Sequence, residues 1–142
     1  MINVRHVLER KGRSVFRVEP EAPVLEALRL MAEHQVGALV VMKGEQLVGI
    51  ISERDYARKV ILLGRASADT PVSLIMSSKV ITVGPHETVQ ECMEVMTAHR
   101  LRHLPVIERE RVVGVVSIGD LVKAVIEEQQ QTIEQLETYI HS

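Results

Sequence analysis

One phrase appears twice in this chain, and the repetition limits what it can fold into. GIISERDYARKVI, beginning at Gly49, returns as GVVSIGDLVKAVI, beginning at Gly114. Sliding the sequence against itself by 65 residues aligns positions 15–61 with 80–126 without a gap. The coincident pairs include Val18/Val83, Pro20/Pro85, Val24/Val89, Met31/Met96, His34/His99, Leu39/Leu104, Gly49/Gly114, Ser52/Ser117 and Asp55/Asp120. A repeat of this length is a duplicated supersecondary unit whose copies bury each other's apolar faces, so one pseudo-symmetric domain is expected.

Each copy predicts the order β-α-β-β-α. An extended segment (VFRV, VITV) leads through a proline to apolar residues at helical spacing: Val24, Leu28 and Met31, or Val89, Met93 and Met96. Two β-rich runs follow, ALVVM with LVGII and HLPVI with VVGVV, joined by turns containing KGEQ and ERER. Because these runs are apolar on both faces, they belong in a sheet covered by helices. A second helix is expected after Ser52 or Ser117. Val4, Val7 and Leu8 share the spacing of Val72, Ile75 and Met76, which predicts a short helix ahead of each copy. The segment with Gly64 and Pro71 links the copies. The boundaries are therefore 4–62 for the first repeat, 63–71 for the linker, 72–126 for the second repeat and 127–142 for a helical extension. In that extension Ile126, Gln129, Ile133, Leu136 and Ile140 alternate three- and four-residue steps, the spacing of a coiled-coil seam. The stripe needs cover, either from its own domain or from a second copy.

Composition narrows the function. At 142 residues and 46% hydrophobic content, a core can form without metal or disulfide staples. The lone Cys92 cannot form an internal disulfide, and MINVRHVLERKG lacks the apolar run of a signal peptide or membrane span, so a cytoplasmic setting is expected. A net charge of -2 and only three aromatic residues, Phe16, Tyr56 and Tyr139, argue against nucleic acid as a partner.

The repeated Gly, Ser and Asp admit two accounts. In one, Ser-x-x-Asp is a capping box and the glycine makes room in a packed strand. In the other, the helix N-terminus receives a phosphate while the carboxylate accepts the hydroxyls of a ribose. Arg54 supplies a cation in the first copy where the second has Gly119, so the two sites are not equivalent.

The duplicated G-h-h-[ST]-x-x-D phrase, together with RLRHLPVI from Arg100 to Ile107 and LIM at Leu74 to Met76, resembles a pair of CBS (cystathionine β-synthase) domains. The likeness extends to small stand-alone CBS-pair proteins, and covers about residues 4–126. It implies an α/β (α+β) fold in which two β-α-β-β-α repeats pack about a pseudo-twofold axis, with an extended C-terminal helix. It further implies a regulatory Bateman module, energy- or redox-sensing, that binds AMP, ADP or ATP, or else NAD(H) or S-adenosylmethionine, in clefts between the repeats. No metal is required. Carried over by position, Asp55 and Asp120 hold ribose hydroxyls; Ser52, Ser117, Arg102 and His103 meet phosphate; and Arg17, Val18, Thr82 and Val83 line the adenine side. Gly37 and Ala38 stand where the second copy has Arg102 and His103, so equal occupancy does not follow. A homodimer acting on a regulated protein partner is the expected assembly. The other functional class is a ligand-independent interaction module whose Ser-x-x-Asp pairs only cap helices.

Enzymatic chemistry finds little support. His99 and His103 are spaced as metal ligands on a helix, but HLPV begins a strand and spoils that geometry. Cys92 aligns with Ala27 on an apolar helix face, the setting of an inert thiol. No P-loop, GxSxG or HExxH is present.

Overall fold

The structure is a computed structural model that describes residues 2–141. The chain forms α1 (Val4–Lys11), β1 (Arg17–Val18), α2 (Val24–His34), β2 (Ala38–Lys43), β3 (Gln46–Ser52), α3 (Glu53–Tyr56) and a turn of π-helix at Ala57–Ile61. It continues with α4 (Val72–Ile75), α5 (Val89–His99), β4 (His103–Glu108), β5 (Arg111–Ser117) and α6 (Ile118–His141). These elements make two compact units, one from Ser14 to Ile81, the other joining the segment up to Arg13 with the segment from Thr82 onward.

In the unit Ser14–Ile81, β1 runs parallel to β2, and β2 pairs antiparallel with β3. All of β2 except Lys43 is buried, as its continuous apolar run demands, whereas β3 alternates more. Its core gathers Val24, Ala27 and Met31 of α2 with Leu39, Val41 and Ile51 of the sheet. Phe16 stacks on His34, ring centroids 3.8 Å apart, which gives this histidine a packing role. The second unit repeats the plan with β4, β5 and the buried faces of α5 and α6. Both hairpins carry a bulge at the same place, between Val41 and Met42 and between Val106 and Ile107.

The second copy's opening strand is reduced to one parallel bridge, Val83 to Val106. In the first copy, the Val40 amide donates to Phe16 O at 3.3 Å. The matching residue is Pro105, which has no N–H to give, so the ladder stops.

The helices ahead of each repeat cross over. Val72 N donates to Ala22 O and Ser73 N to Pro20 O, while Val24 N donates to Thr70 O, all at 2.8–2.9 Å. Three equivalent bonds, Val4 N to Glu87 O, Arg5 N to Pro85 O and Val89 N to Ile2 O, tie α1 to the second repeat at 2.9–3.0 Å. Pro23 provides no side-chain cap for α2, and the linker carbonyls of Ser67 and Thr70 accept the first amides instead. Each compact unit is thus one repeat plus the leading helix of the other.

This crossing explains the motif glycines. A Cβ on Gly114 would lie 2.6 Å from Leu8 Cδ2, and one on Gly49 would lie 2.5 Å from Met76 Sδ and 3.1 Å from the Ser77 carbonyl. The strand has no room for a side chain where the short helix rests on it.

α6 is continuous over 24 residues, and every described residue from Gln129 onward is exposed. The extension therefore does not fold back onto its own unit.

Candidate functional site

Both Ser-x-x-Asp phrases form full capping geometry where a strand turns into a helix. Ser52 N donates to Asp55 Oδ2 at 3.0 Å, and Asp55 N donates to Ser52 Oγ at 3.3 Å. In the second copy Ser117 N donates to Asp120 Oδ2 at 2.8 Å and Asp120 N to Ser117 Oγ at 3.2 Å. The short side chains favour this reciprocal pairing because it satisfies two end-of-helix amides at once. Capping leaves each carboxylate fixed and only half-buried.

The second repeat gathers most of the expected residues. Ile118 N, the first amide of α6, donates to Arg102 O at 2.9 Å, and His103 pairs directly across the sheet with Ser117. Arg102, His103, Ser117 and Asp120 thus share one helix entrance. In the first repeat the same contacts bring in Gly37 and Ala38, which offer no cation. Arg54 lies within α3, between Ser52 and Asp55.

The opening segments contribute less. Arg17 is drawn to the far end of the hairpin, where its guanidinium meets Gly44 O and lies 3.9 Å from Glu45, away from the Ser52 end. Val18 is buried in β1. Both peptide groups of Val83 are engaged, its amide with Pro105 O and its carbonyl with the Ile107 amide. Those groups are not free to read a base edge; Thr82 beside it is exposed.

Two lysines join the carboxylates. Lys59 Nζ lies 3.4 Å from Asp55 Oδ1, an i,i+4 pair that joins the π-helical turn to α3, and donates to Ile75 O. Position 124 of the second copy is alanine, and the cation comes instead from α1: Lys11 Nζ lies 2.6 Å from Asp120 Oδ2 and donates to Val115 O at 2.7 Å. Burial works against ionisation of Asp120, but the Lys11 bond, the Ser117 amide, the Lys11 charge and the Ser117 hydroxyl outweigh it and hold its carboxyl below the ordinary value. Lys59 is legible as an i,i+4 partner of Asp55, whereas nothing near Asp120 in sequence points to Lys11.

Cys92 is fully buried, and burial, with Glu87 and Glu91 nearby, pushes its thiol up to about 11. Among the described residues there is no cluster of potential metal ligands, and no helix is long and apolar enough to cross a membrane.

The repeated hairpin, glycine and capped Ser-Asp unit is matched by the model for the CBS domain at residues 4–61 and again at 72–127. The chain belongs to the CBS domain family. One curated relative, the mitochondrial CBS domain-containing protein CBSX3 of Arabidopsis thaliana, is 44% identical over 96% of this chain and 71% of its own length. Among solved structures, a candidate signal-transduction protein with CBS domains from Burkholderia ambifaria is 46% identical, covers 89% of this chain and 96% of its own, and superposes with a TM-score of 0.86. The hexameric CBS-CP12 protein of bloom-forming cyanobacteria is more distant, at 26% identity, with 86% of this chain and 71% of that one aligned and a TM-score of 0.78. The chain is a CBS-pair regulatory module.

Proposed function

We propose that this CBS pair is a non-enzymatic sensor that binds an adenosine nucleotide, AMP, ADP or ATP, or else NAD(H), and passes its occupancy to a protein partner. It does so as a homodimer in a reducing, cytoplasm-like setting, the setting that suits a lone buried thiol. The observation that carries this reading is the grouping at the α6 entrance, where a capped, ionised Asp120 stands with Ser117, Arg102 and His103. The carboxylate is an acceptor suited to ribose hydroxyls, and the cationic edge with the positive helix end suits phosphate. Asp55, Ser52 and Arg54 form the weaker counterpart in the other unit. Regulation requires that the nucleotide bind two arrangements of the protein unequally.

The test is thermal unfolding of wild type, Asp55→Ala and Asp120→Ala with AMP, ADP, ATP, NADH and S-adenosylmethionine over a concentration series. Native-state binding adds about 2.7 kcal/mol at 100 times the dissociation constant. Either substitution also removes a cap worth about 1 kcal/mol without ligand, so the readout is the ligand-dependent increment. A saturable rise for an adenosine compound, lost in Asp120→Ala, supports the reading. No rise with any of the five sinks it.

A further inference from the structure

The α6 extension presents an apolar line to solvent. Val122, Ile126, Ile133, Leu136 and Ile140 are 41%, 59%, 48%, 56% and 73% exposed, and with Gln129 they alternate four- and three-residue steps along one face. From Val122 to Ile140 the line is about 27 Å long at 1.5 Å per residue. Beside it, Ile2, Thr88, Val89 and Gln90 form the opposite bank of a groove whose near bank includes Val125, Gln129 and Ile133. A helix laid along the line thus also meets Ile2 and the start of α5 across the groove.

We infer that this face binds the same face of a second copy, with the two α6 helices antiparallel and centred on Gln131. In that register no apolar residue of the line is left unpaired: Val122 meets Ile140 of the second copy, Ile126 meets its Leu136, and Ile133 meets its Gln129. The flanking positions decide the direction. Lys123 faces Glu137 of the second copy, and twofold symmetry repeats the pair at the other end. In a parallel pair, Lys123 flanks Ile118 and Glu137 flanks Thr132, and the charges gain nothing. The twofold closes on itself, so the product is a dimer step and not a filament. This inference deepens the self-association in the proposed function and does not depend on nucleotide.

The experiment is analytical ultracentrifugation of the full chain across a concentration series, for wild type, Ile133→Asp, Lys123→Glu, Glu137→Lys and the double charge swap. These side chains are exposed, and far-UV circular dichroism checks that each variant keeps its fold. Ile133→Asp is expected to halve the assembly mass. Each single charge reversal makes two like-charge pairs per dimer and is expected to weaken association about fivefold or more, while the double swap restores it. An assembly whose mass survives Ile133→Asp overturns the inference but leaves self-association through another surface intact. A monomeric wild type removes both and leaves the face to a different protein's helix. A double swap no better than the singles overturns the antiparallel register.

Discussion

The crossed helices make a prediction that separates this fold from one in which each leading helix covers its own repeat. Gly114→Ala places a Cβ 2.6 Å from Leu8 Cδ2 and 3.0 Å from Cδ1, against an optimal carbon separation of about 3.5–4.0 Å. Leu8 is 1% exposed and has nowhere to swing, so the added methyl should cost about 1–3 kcal/mol as overpacking. Leu8→Ala alone should cost about 2–5 kcal/mol through the lost apolar contact and the cavity left behind. Together the two compensate, since the methyl added at position 114 fills part of the space that Leu8 vacates. The double variant should therefore be more stable than the sum of the singles predicts by about 1–3 kcal/mol. Gly49→Ala meets Met76 and Ser77 instead, and combined with Leu8→Ala it should add within about 0.5 kcal/mol. The assay is urea unfolding of the two double-mutant cycles, read as midpoints at constant slope. If Leu8→Ala rescues Gly49→Ala and not Gly114→Ala, or if Gly114→Ala is neutral, the crossed packing is refuted.

Two further outcomes follow from the charges. Asp120 has a folded-state pKa below its ordinary value of 3.8, so its contribution to stability is present above about pH 4 and is lost as pH falls through the depressed value. Lys11→Met should remove about 0.5–1 kcal/mol of that contribution, a modest amount because the pair is partly solvated, and should flatten the acid limb of stability against pH; an unchanged acid limb would contradict the role given to Lys11. Cys92, with its thiol raised to about 11 and fully buried, should resist alkylation at pH 8 in the native protein and react at once in 6 M guanidinium; rapid native alkylation would contradict its burial.

The sequence by itself determined what is local or repeated. Helical spacing in α2 and α5, the paired strand runs, and the Ser-Asp capping boxes all depend on residues within a few positions of each other, and the structure forms each of them. Even the shortened strand at Val83 has a local cause, the missing amide of Pro105. The exposed α6 face follows from a seam visible in the order of residues, although the fold was needed to show that its own unit leaves it bare. Tertiary structure alone decided which repeat each leading helix covers. α1 and α4 carry the same apolar spacing, so periodicity cannot choose between packing on the near copy and on the far one; the six backbone bonds at Pro20, Ala22, Thr70, Pro85, Glu87 and Ile2 make that choice. The Asp120 site inherits the result. Its cation, Lys11, lies 109 residues away in sequence, on a helix that reaches the second repeat only because the leading segments cross. Short-range patterns record propensity and capping, whereas a contact between distant segments depends on which buried surfaces fit, and no single stretch of sequence contains both sides of that fit.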